Sequence, residues 1–129
     1  MNRLFIVLLA ALLVSSGCEA PSASAHEYRQ MTMQEAAAMM EAEHSYIILD
    51  VRTAGEYAGG HIPGAVNIPN ETITTAAIPD LPDKDQLIFV YCRSGNRSKQ
   101  ASSKLAALGY TNIVEIGGIN AWPGEIVLP

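Results

Sequence analysis

The stretch Leu87-Ile88-Phe89-Val90-Tyr91-Cys92-Arg93-Ser94-Gly95-Asn96-Arg97-Ser98-Lys99 restricts this chain more than any other. A short apolar run reads as a buried strand, a tight polar loop opens on a cysteine, and a helix begins at Ser98. Open α/β sheets place their ligands at loops on the carboxyl ends of buried strands. The loop is also electropositive. Arg93, Arg97, Lys99 and Lys104 occur between Cys92 and Lys104 with no acid, in a chain whose formal net charge is −5. Guanidinium groups, a helix N-terminus and backbone N–H groups converging as an anion nest all favour an ionised thiol. Cys92 is therefore read as a nucleophile facing an anionic substrate, in preference to a buried structural cysteine.

At 129 residues the chain has room for one domain. We expect residues 1–25 to be a leader and 26–129 to be that domain. Arg3 precedes an apolar run of 11 residues, Leu4 to Val14, short for a bilayer span and suited to the apolar region of an export signal. Two processing sites compete. Ser16-Gly17-Cys18 directly follows the run and resembles a lipoprotein lipobox, although Ser15 stands where a leucine is usual; Ala23-Ser24-Ala25 fits an ordinary signal-peptidase site. Lipidation of Cys18 is the favoured route, with a short Ala-, Ser- and Pro-rich tether after it, and the protein is then periplasmic or held at the cell envelope. Either route leads to an oxidising compartment and leaves Cys92 as the one thiol of the mature protein, with no disulfide. An acidic balance and a single short basic cluster without interleaved aromatics argue against a nucleic-acid interface.

The rest of the chain alternates helix and strand patterns. Thr32 and Glu35 predict a capping box opening a helix that runs to Glu43. Tyr46 to Val51 reads as a strand covered on both faces. Residues 53–60 carry a helical turn around Glu56 and Tyr57, and His61-Ile62-Pro63-Gly64 a turn. Ala65 to Pro69 is a short strand. Thr72 to Ala77 reads as a weak helix, followed by a loop marked by Pro79 and Pro82. Ser98 to Leu108 is a helix stopped by Gly109, Thr111 to Ile116 a last strand, and Ala121-Trp122 a brief helical segment. Such alternation predicts an α/β fold with a mainly parallel sheet and helices on both faces.

Four motifs in order, Leu49-Asp50-Val51-Arg52 with Glu56-Tyr57, Gly60-His61-Ile62-Pro63-Gly64-Ala65, Cys92 to Ser98, and Gly117-Gly118-Ile119-Asn120-Ala121-Trp122, resemble the rhodanese domain. The resemblance runs from about Met31 to Ile126. It implies a small five-stranded parallel sheet and transfer of sulfane sulfur through a cysteine persulfide. A Cys92 thiolate would attack the outer sulfur of a small anionic donor such as thiosulfate, release sulfite, and pass the sulfur to cyanide or a thiol, a two-step covalent cycle that calls for no metal or cofactor. Backbone N–H groups from Arg93 to Ser98 (Arg93, Ser94, Gly95, Asn96, Arg97 and Ser98) would hold the anion, with Gly95 relieving the curvature. Arg97, matching the arginine that ends the family loop, is the first candidate for anion binding, and Arg93 the second. Asp50, Arg52, Glu56, His61 and Trp122 are expected to support the loops, Arg52 pairing with Glu56. His26 and His44 have no cysteine or histidine at ligand spacing, so no metal site is expected.

Loop length separates reaction classes. The loop is Cys-x4-Arg, whereas the similar cysteine phosphatases use a loop one residue longer, and a phosphatase also needs an acid for its leaving group. Two other readings stay open. The protein is a sulfur carrier using polysulfide or persulfide donors, or a rhodanese-like module that binds without catalysis; the presence of both Cys92 and Arg97 argues against the second.

Overall fold

The computed structural model describes residues 27–129; the leader and the lipidation candidate Cys18 lie outside them. In chain order the elements are β1 (Arg29–Gln30), α1 (Met33–Ala42), β2 (Ile47–Asp50), α2 (Ala54–Ala58), β3 (Val66–Asn67), a 3-10 turn (Asn70–Thr72), β4 (Ile88–Cys92), α3 (Asn96–Ala107), β5 (Ile113–Gly118) and a second 3-10 turn (Ile119–Ala121). The strands form one sheet in the order β1-β5-β4-β2-β3, with every pair parallel.

Side-chain alternation along the strands builds two cores. Leu49, Val51, Ile88, Val90, Cys92 and Ile113 face one side, where α3 covers them with Ala101 and Leu105. Ile48, Phe89, Tyr91, Val114 and Ile116 face the other, against Met33, Ala36 and Met40 of α1. β4 lies in the middle, so all five of its residues are buried. That central position puts Cys92 at the carboxyl end of the most enclosed strand, beneath the start of α3.

A buried polar hub ties this end of the sheet together. Asp50 is fully buried at the end of β2. Its carboxylate accepts hydrogen bonds from Arg52 Nε and Nη2 (2.7 Å to Nη2), from the Arg52 backbone N–H, and from the Tyr91 hydroxyl (2.7 Å). Arg52 also donates to the carbonyl of Gly60, and the Tyr91 oxygen accepts the Ile62 N–H. Burial, reinforced by the Asp50 carboxylate, pushes the Tyr91 phenol well above its usual range. One carboxylate thus fixes β2, β4 and the turn after α2 to one another.

Three local expectations are corrected. Arg52 does not pair with Glu56; its partner is Asp50. The reciprocal capping box forms at Thr53 and Glu56 and opens α2, while at α1 Thr32 accepts the Glu35 N–H without the return bond. Residues 72–77 form no α-helix: Pro69 precedes a single 3-10 turn, and the run Ile73-Thr74-Thr75 is β-branched, which disfavours helix. The pattern also gave no sign of β1, two exposed residues held by pairing with Val114 and Glu115.

Removing Asp50 leaves Arg52 and Tyr91 without their partner in the interior. We expect Asp50→Ala to cost about 3–5 kcal/mol in urea denaturation, as for breaking a buried ion pair. Tyr91→Phe, which leaves the ion pair intact, is expected to cost about 1–2 kcal/mol.

Candidate active site

The chain leaves β4 at Cys92, turns through Arg93, Ser94 and Gly95, and enters α3 at Asn96. Gly95 makes the turn with a φ of 106°, in the region that glycine tolerates best. The turn wraps backbone donors around the thiol. The Gly95 N–H lies 2.9 Å from Cys92 Sγ, and the nearby N–H groups of Ser94 and Ser98 also favour a charged sulfur. The Ser98 hydroxyl is 3.4 Å from Sγ. Cys92 is fully buried beneath this loop. Burial pushes the thiol up, but the hydrogen bonds from Ser98, Gly95 and Ser94 outweigh it and hold the Cys92 pKa below its ordinary value. The loop thus surrounds the thiol with a main-chain donor and one hydroxyl.

The strand beside it shapes the cradle. Gly118 of β5 lies in register with Cys92. A Cβ on Gly118 would sit 2.2 Å from the Arg93 carbonyl oxygen and 3.1 Å from Ser94 Cα, so only glycine lets the loop lie this close.

Arg97 is bound differently from the expectation. Its two terminal nitrogens grip Glu56 at 2.6 and 3.0 Å, which links α3 to α2. Glu56 is therefore the loop's counter-ion. The bidentate bond to Arg97 draws the Glu56 carboxyl from 4.5 down to about 2, against a smaller opposing effect of burial and with help from Thr53. Glu56 raises the Arg97 pKa in turn, and the nearby Cys92 adds to the rise. The Arg93 side chain is exposed, as are Ser94 and Asn96. His61 is buried, stacked on Tyr57 with ring centroids 3.7 Å apart, its Nδ1 3.0 Å from the Tyr57 carbonyl oxygen. Trp122 donates to the Glu125 carbonyl and packs against the α1-side core. Both are held in structural contacts.

Sequence reasoning missed Glu115. Its side chain is buried on β5, and its Oε1 accepts the Ser98 hydroxyl at 2.6 Å and the Gly117 N–H at 2.8 Å. The available signal was a lone acid within the apolar run Ile113-Val114-Glu115-Ile116.

Two outcomes follow from this geometry. Gly118→Ala displaces the Arg93 carbonyl, disorders the donor set and slows iodoacetamide alkylation of Cys92 at pH 7. Because folding depresses the Glu56 pKa, the Arg97 pair contributes its full stability above about pH 4.5 and loses it as pH falls toward about 2. The stability difference between the wild type and Glu56→Gln, followed by urea denaturation, should therefore shrink across that window.

Comparison with known proteins agrees with this architecture. Residues 32–125 match the family described as the Rhodanese-like domain. The chain is 37% identical over 81 residues to the thiosulfate sulfurtransferase PspE of Escherichia coli, covering 63% of this chain and 74% of that protein. It is 33% identical over 104 residues to the thiosulfate sulfurtransferase GlpE of Pseudomonas entomophila, covering 77% and 92%. Some fungal relatives are longer proteins, of which the chain spans about a fifth (22%). A solved structure described as rhodanese with anions from E. coli superposes with a TM-score of 0.61 at 32% identity, over 66% of this chain and 100% of that one. With five parallel strands and a cysteine loop between β4 and α3, the chain belongs to the rhodanese-like domain family.

Proposed function

We propose that this protein is a thiosulfate sulfurtransferase working through a persulfide on Cys92. Sulfur transfer is the activity named for its relatives PspE and GlpE. The observation that carries the reading here is a buried sulfur met by the Gly95 N–H at 2.9 Å and the Ser98 hydroxyl at 3.4 Å, in a loop that holds the thiol's pKa below its ordinary value. A Cys92 thiolate attacks the outer sulfur of thiosulfate, a new S–S bond forms, and sulfite leaves with the electron pair of the old one. Cyanide or an acceptor thiol then takes the outer sulfur and regenerates the thiolate. Both anionic states, thiolate and persulfide, are stabilised by the same fixed donors, which need no reorganisation during the reaction. Export, with lipidation at Cys18, is part of the proposal and rests on the apolar run before that cysteine.

A second reading has a specific observation behind it. Arg97 is engaged by Glu56, which lowers the positive charge open to a dianion and favours a persulfide or polysulfide donor.

Intact mass of the purified protein separates these readings. Thiosulfate should add about one sulfur atom, cyanide should remove it, and Cys92→Ser should show neither change while remaining folded. Sulfur uptake from a low-molecular-weight persulfide but not from thiosulfate would select the second reading, and turnover by Cys92→Ser would refute both.

A further inference from the structure

Glu115 lies on the strand adjacent to the cysteine loop, about 20 residues beyond it in sequence. Glu115 is 4% exposed, and among the described residues its carboxylate has no ion-pair partner within 4.0 Å. A buried carboxylate without a cation is costly, so its two hydrogen bonds carry unusual weight. One of them, at 2.6 Å, comes from Ser98, and Ser98 is the one side chain hydrogen-bonded to Cys92 Sγ among the described residues. Sulfur, hydroxyl and carboxylate thus form a continuous chain closed off from water.

The proton count along that chain is informative. Ser98 has a single hydroxyl proton and three acceptors around it: Glu115 Oε1 at 2.6 Å, the Gly95 carbonyl at 2.9 Å and Cys92 Sγ at 3.4 Å. With that proton on the carboxylate side, Ser98 offers Sγ only lone pairs, which suits a neutral thiol. With a proton on Glu115 donated to Ser98, the hydroxyl is free to turn its own proton to a thiolate. The arrangement satisfies both states of the cysteine and differs between them by one proton shift.

We propose that Glu115 is a positioning residue that takes the Cys92 proton through Ser98. The S–H bond breaks, Ser98 gains that proton and passes its own to Glu115, and one negative charge moves from carboxylate to sulfur. The reverse shift restores the thiol when the cycle ends, and no oxidant or reductant is involved. Charged groups on the neighbouring elements are directed elsewhere. On α3, Arg97 bonds Glu56, Lys104 bonds Asn70 and Lys99 is exposed; on β1, Arg29 bonds Asn112; α1 covers the opposite face of the sheet. Cys92, from β4, is the titratable group joined to Glu115 through Ser98. The proposal builds on the reading of Cys92 as nucleophile, but its deciding test, alkylation, needs no sulfur donor.

The test is the pH dependence of Cys92 alkylation by iodoacetamide in the folded protein. A proton shared between thiol and carboxylate gives two titration steps, because the pair titrates as a unit. Wild type should show two steps and Glu115→Gln one, since the amide keeps an acceptor for the Gly117 N–H but cannot take a proton. Near pH 6, Glu115→Gln should also form persulfide at least about tenfold more slowly, and recover toward wild type at alkaline pH, where solvent removes the thiol proton. A single step in wild type overturns the proposal whether or not the variant folds, and so does an unchanged two-step profile in a folded Glu115→Gln. Failure of thiosulfate as donor with a two-step profile intact would count against the donor alone.

Discussion

A sulfur anion shut away from water is tolerable only where donors meet it at once and from several directions. Here the donors are main-chain N–H groups, and their placement follows from the fold. A parallel strand must end, turn and hand the chain to a helix, and the first turn of any helix has N–H groups with no partner inside it. At the junction of β4 and α3 the N–H of the capping residue, Gly95, is aimed at Cys92. The remaining architecture keeps that junction in place.

Two connections do most of this holding. The Asp50 carboxylate joins β2 to the last residues of β4 and to the turn beyond α2, so the strand end carrying the cysteine cannot shift without breaking buried polar contacts. Gly118, on the other flank, allows β5 to press directly on the Arg93 carbonyl. The loop is thus confined by a charged hub on one side and a missing side chain on the other. The Arg97–Glu56 pair bridges α3 to α2 across the outside.

The sequence was legible where local chemistry decided the outcome. The enclosed strand, the curved loop opening on Cys92, the following helix and the parallel α/β arrangement are all encoded by neighbouring residues, and the motifs pointed to the family. Pairing across the fold was less legible. Arg52 stands four residues before Glu56, helical spacing that invites an ion pair, yet a β-strand end directs Arg52 back to Asp50 and leaves Glu56 for Arg97, 41 residues away. Glu115 looked like an interruption of an apolar strand because its partner, Ser98, is brought to it only by the packing of α3 on β5. β1 was silent for a related reason: two exposed residues hold their place through a neighbour's backbone and have no pattern of their own.

The sulfur is held from inside by the Gly95 N–H and the Ser98 hydroxyl, while the side chains of Arg93, Ser94 and Asn96 point out into solvent from the same loop. Chemistry and address are therefore written in different atoms. Any residue compatible with the turn supplies the same N–H, so the outward side chains are free to change without disturbing the contacts around the sulfur. In a scaffold this small, that separation leaves a handful of exposed positions free to vary around one fixed sulfur environment.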